Sequence, residues 1–178
     1  MGFKIFSVVA VVVIVLGLFI NSRSDKLEVS RSIVIEAPAA EIFEYVNNFR
    51  GFVQWSPWAD LDPDAEYTFS GPERGVGAAF SWKGNSKIGE GTDTIIKSVP
   101  NSLVEVRLDF VKPFPSTSTA DFTFEELESG TKVTWTMYGK KNFIMKAMSL
   151  VMDCEKMMGD QFTDGLTNLK NLVETNRS

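Results

Sequence analysis

An α+β domain, one seven-stranded antiparallel sheet closed by a long C-terminal helix and preceded by an apolar helix, is the fold class this sequence predicts. Three observations predict it. The chain opens on an unbroken apolar run, alternates with period two between Ala65 and Lys140, and turns to a three- and four-residue period from Asn142 to about Thr175.

From Phe3 to Ile20 the chain is apolar except for Lys4 and Ser7. Eighteen helical residues span about 27 Å, close to the roughly 30 Å hydrocarbon core of a bilayer. The expectation is a single-pass transmembrane helix, with residues 1–24 as anchor and flank and 25–178 as one globular domain. A cleaved signal is the alternative, with Lys4 as its charged start and Ser22-Arg23-Ser24 as a loose cleavage site. Lipidation lacks support, because Phe6 stands where myristoylation wants Ser or Thr and Cys154 is remote. Lys4 and the amine face Arg23, Lys26 and Arg31 across the run, so the side of the membrane stays open.

Next, Val29, Ile33 and Ile35 share one face of an extended run from about Glu28 to Glu36, with Arg31 the exception: a first strand. Pro38 sits where a helix begins, and Ile42, Phe43, Val46 and Phe49 follow at helical spacing. A second short helical piece from about Arg50 to Trp55 stops at Pro57. Six strands then carry the apolar faces Tyr67 and Phe69; Ala78, Phe80 and Trp82; Glu90, Thr92, Thr94 and Ile96; Val104 to Phe110; Ala120 to Phe124; and Val133 to Met137. Turn signals such as Gly71-Pro72, Lys83-Gly84-Asn85 and Ser129-Gly130 separate them. The final helical stretch places Ile144, Ala147, Val151, Cys154, Met158, Phe162, Leu166 and Leu169 inward, and Gly159 and Gly165 imply a kink or close packing on the sheet. The predicted order is strand, two short helices, six strands, long helix.

Composition excludes much. With Lys4 and Arg23 set aside, 16 basic and 23 acidic side chains remain, a formal charge of −7 that disfavours nucleic acid. The absence of histidine removes the commonest general base and metal ligand, and a single cysteine permits no disulfide or thiolate zinc cluster. No nucleotide-binding loop occurs, and no cofactor or metal is implied.

Arg31-Ser32-Ile33-Val34-Ile35 with Ala37-Pro38, Trp55-Ser56-Pro57-Trp58, Gly84-Asn85 with Gly89-Glu90-Gly91, Val99-Pro100-Asn101, Lys112-Pro113-Phe114 and Gly165-Leu166-Thr167-Asn168-Leu169-Lys170 carry a resemblance. In their order and spacing the chain resembles the START-like (SRPBCC) superfamily, within it the polyketide cyclase/dehydrase and lipid-transport group. The resemblance implies a helix-grip fold whose sheet wraps the C-terminal helix around a cavity for apolar ligands. It does not choose among carriers, cyclases, hormone-binding proteins and chaperone activators.

The candidate ligand-binding residues are Trp58, Phe80, Trp82, Glu90, Thr92, Phe110, Phe122, Trp135, Met137, Met158 and Phe162. Their apolar members equally suit a filled core. Glu90 has two readings, a carboxylate lining the cavity or one turned to solvent by a bulge between Gly89 and Gly91. The leading expectation is a membrane-anchored binding or carrier domain for an apolar small molecule or lipid. The alternatives are a cyclase- or dehydratase-type enzyme using Glu90, with Tyr67 or Thr92 as helpers, and a protein-interaction module with a filled core.

Overall fold

The computed structural model describes residues 2–177; the side chains at 2–5, 7 and 8, and with them the expected roles of Lys4 and Ser7, lie outside the described residues. Helix α1 (Gly2–Ser22) precedes β1 (Lys26–Ile35), the short helices α2 (Ala39–Val46) and α3 (Phe49–Val53), and a 3-10 turn, Ala59–Leu61. Strands β2 (Glu66–Ser70), β3 (Ala79–Lys83), β4 (Glu90–Val99), β5 (Leu103–Lys112), β6 (Ser116–Leu127) and β7 (Gly130–Lys140) follow, then α4 (Phe143–Met148) and α5 (Cys154–Thr175).

All seven strands form one antiparallel sheet in the order β1-β7-β6-β5-β4-β3-β2. Six follow as a meander, and β1 joins its far edge beside β7. Helix α5 packs along β1 and β7, because Phe162, Leu166, Leu169 and Val173 recur on one face and are buried. Burying such a side chain fully contributes about 1.5–3 kcal/mol. Gly165 permits the close approach: a Cβ there would lie 3.0 Å from both Pro57 Cδ and Trp135 Cζ3.

Three expectations need correction. The C-terminal helix is two helices, because residues 149–153 leave the helical path and Asp153 restarts it by accepting from Lys156 N–H at 2.9 Å. Val151 therefore sits in the break, 83% exposed, instead of on the inward stripe.

The second correction concerns β4. Its ladder to β5 skips Ile96, pairing Ile95 with Val106 and Lys97 with Glu105. This bulge reverses the phase taken from Ile96: Gly91, Asp93 and Ile95 are buried, while Thr92 and Thr94 turn to the other face and Thr92 bonds Ser81 at 2.8 Å.

The third concerns α1. Its apolar side chains from Val9 to Phe19 are largely exposed, but Ile20 is buried and Lys146 Nζ donates to the Asn21 carbonyl, which ties the C-terminal end to the globular part. Among the described residues no helix is long and apolar enough to cross a membrane.

Candidate ligand cavity

Between sheet and helix the packing leaves a cavity of about 650 Å³. Its wall is aromatic and aliphatic because inward positions of β3, β5 and β7 carry Phe80 and Trp82, Leu108 and Phe110, and Trp135 and Met137. Phe52 from α3, Trp58 from the loop after it and Phe162 from α5 close the other side. Trp135 forms the hub: it stacks on Phe162 at 4.1 Å between ring centres and meets Trp58 edge-on at 5.6 Å. Opposite Trp82, Gly91 leaves the space the indole occupies, since a Cβ would lie 2.5 Å from Trp82 Cη2. The indole is held there by its N–H, which donates to the Ile88 carbonyl at 3.0 Å.

Of the candidate residues, Trp58, Phe80, Trp82, Phe110, Trp135, Met137, Met158 and Phe162 line this cavity. Phe122 does not: it packs beneath, against Trp55 and Trp135, in the filled part of the core. Thr92 lies on the other face of the sheet. Glu90 is displaced by the register shift between Glu90 and Gly91 and forms an ion pair with Lys112 Nζ at 2.9 Å. A hydrogen bond from that ammonium holds its carboxyl below the usual range, so Glu90 stays an ionised surface group and does not serve as the interior acid the enzyme reading needed. Trp55 is 1% exposed and plugs the core, with its indole N–H donating to the Tyr45 carbonyl at 3.3 Å.

The carboxylate that does enter the cavity is Asp93, which the period-two reading turned outward. It is 8% exposed, with Phe80 opposite on β3 and Leu108 opposite on β5. Its Oδ1 has no hydrogen-bond partner among the described residues, and neither does Trp135 Nε1. Burial pushes the Asp93 carboxyl up to about 8, and the like charge of Asp109 adds to the effect. Burial also raises Tyr67. Ile95, not Ile96, is the inward apolar residue of that strand, and Asp93 shares its face.

The opening is ringed on one side by Lys87, Ile88, Lys112 and Pro113 and on the other by Met148, Met152 and Met157. These methionines are 39%, 42% and 53% exposed, which makes the helical side of the rim apolar and adaptable. Cys154 stands half-buried at the same rim. Among the described residues no group of three or more His, Cys, Asp or Glu side chains is placed to hold a metal.

Solved structures share this architecture at low identity. The Zhui aromatase/cyclase from Streptomyces sp. R1128 matches with a TM-score of 0.60 and 13% identity, covering 86% of this chain and 96% of that one. The Aha1 dimer from Colwellia psychrerythraea matches with a TM-score of 0.60 and 19% identity, covering 85% and 99%. KanY matches with a TM-score of 0.62 and 16% identity, covering 84% and 98%. At these identities the likeness shows the helix-grip fold alone. No curated protein matches the chain. A family model described as Polyketide cyclase / dehydrase and lipid transport matches residues 26–174, the whole sheet and all but the last residue of α5, and the chain belongs to that family.

Proposed function

We propose that this protein binds and carries an apolar small molecule or lipid in the cavity, and that α1 attaches it to a membrane. One observation carries the reading: about 650 Å³ of space walled by aromatic and aliphatic side chains, a volume in the range of sites for small organic ligands. The unfilled interior favours this reading over a pure interaction module, for which a filled core would have been support.

Attachment draws on two adjoining surfaces. Helix α1 exposes Val9, Val11, Val12, Val13, Ile14, Val15, Leu16, Leu18 and Phe19, far more contiguous apolar surface than a water-facing helix carries. It packs on α4, whose last residue, Met148, lines the cavity rim. A bilayer that receives α1 would therefore lie beside the opening, where Leu150, Val151 and Met152 are also exposed.

The test is native mass spectrometry of the full chain released from nanodiscs, combined with vesicle flotation. The expected result is a retained apolar molecule at one per chain, and flotation that is lost when residues 2–22 are removed. An empty protein that also takes up no apolar probe would refute carriage; flotation unchanged by the deletion would refute attachment through α1.

A further inference from the structure

A hydrocarbon wall supplies affinity but discriminates weakly, by a factor of about 10 to 200 per methylene, whereas a buried polar group that must be paired discriminates more strongly. The cavity wall holds one such side chain, Asp93, whose Oδ1 has no hydrogen-bond partner among the described residues. A buried carboxylate needs a cation or several donors, and here its cross-strand neighbours are Phe80 and Leu108. As a neutral acid, by contrast, it offers one O–H donor and one carbonyl acceptor to whatever fills the space.

We propose that Asp93 is the specificity-determining group of the cavity: as an uncharged carboxylic acid it selects, among apolar molecules that fit, those bearing an uncharged oxygen, a ketone, ester or hydroxyl, able to exchange a hydrogen bond with it. The proposal rests on the ligand-binding reading above.

The other titratable groups around the cavity are Tyr67 on β2, Asp109 and Lys112 on β5, Lys87 in the β3–β4 connection, Cys154 and Asp160 on α5, and Glu90 on the same strand. Asp109 is engaged by Arg107 at 2.7 Å and Thr117 at 2.8 Å, Lys112 by Glu90, and Asp160 by Lys156 at 2.6 Å. Lys87 is exposed at the rim. Burial and the nearby Asp109 keep Asp93 neutral to about pH 8, so selection for a neutral oxygen should weaken above that pH.

The experiment measures binding of 2-acetylnaphthalene and 2-ethylnaphthalene, near-isosteres that differ in the carbonyl, to the full chain kept in solution with amphipol. Saturable quenching of tryptophan emission gives Kd, with protein-free amphipol as the partition blank. At pH 6 the preference for the acetyl compound should fall about tenfold in Asp93→Leu and persist in Asp93→Asn, the neutral isostere. Raising the pH from 6 to 10 should erode that preference in the unmodified protein and leave Asp93→Asn unaffected. An equal preference in the unmodified chain and Asp93→Leu, or a preference independent of pH in the unmodified chain, overturns the role of Asp93 while leaving ligand binding intact. Failure of both naphthalenes to bind any form overturns the ligand-binding reading, and this inference with it.

Discussion

Asp93 couples the cavity to the stability of the whole chain. Unfolded, its carboxyl titrates near 3.8; folded, it holds its proton to about 8. Between these values the folded chain keeps a proton that the unfolded chain has released, so the contribution of Asp93 to stability is greatest below about pH 4, falls as the pH rises, and levels off above about 8. Asp93→Asn has no such proton to keep. The variant should match the parent near pH 4 and exceed it by an amount that grows toward roughly 6 kcal/mol by pH 8, on the scale of about 1.4 kcal/mol per pKa unit. Urea midpoints of both proteins from pH 4 to 9 check this, and a difference that does not change with pH would show that Asp93 is not the titrating group. Glu90 behaves oppositely, since its partner is an ammonium at the surface, and screening by solvent makes that pair a weak contributor.

At the level of single elements, β4 is where sequence reasoning and structure part, and the cause is local. Five strands alternate regularly, and for them the inward residues were legible: Phe80 and Trp82, Leu108 and Phe110, Trp135 and Met137 all reach the cavity as read. On β4 two adjacent isoleucines offered two phases, and the choice depends on a bulge that is set by pairing with Val106 and Glu105 on β5, not by β4 itself. The break before α5 was missed for a related reason. Residues 149–153 keep an apolar, helix-compatible composition, and the restart depends on a cap bond made by Asp153. The glycines of β4, in contrast, already marked a close approach. Gly91→Ala would drive a Cβ into the Trp82 ring, so it should cost about 1–3 kcal/mol and shift tryptophan emission to longer wavelength as the indole leaves the wall. Chemical denaturation followed by fluorescence measures both; unchanged stability and emission would mean that the ring has room elsewhere.

For the molecule as a whole, topology was legible because antiparallel strands of period two followed by one amphipathic helix leave few ways to bury a single apolar sheet face. The empty space was legible from that architecture and the family resemblance, but its size was not. A void is a small difference between the volume enclosed by the backbone and the volume of some two dozen side chains, and no pattern in the chain encodes that difference directly. Its presence makes a measurable demand on the assembled protein, because side chains around an open space lack part of the dispersion contact that a filled core provides. An occupant that binds only the folded state at a hundred times its Kd adds about 2.7 kcal/mol, enough to raise the melting temperature of a domain this size by several degrees. Differential scanning calorimetry of the full chain with and without 2-acetylnaphthalene should show that rise; an unchanged transition would mean that the guest does not bind, or binds folded and unfolded chains alike. In a cell, proteases sample the unfolded fraction, so the survival of this protein should track the supply of its cargo, and starvation for that cargo should shorten its lifetime with no dedicated sensor involved.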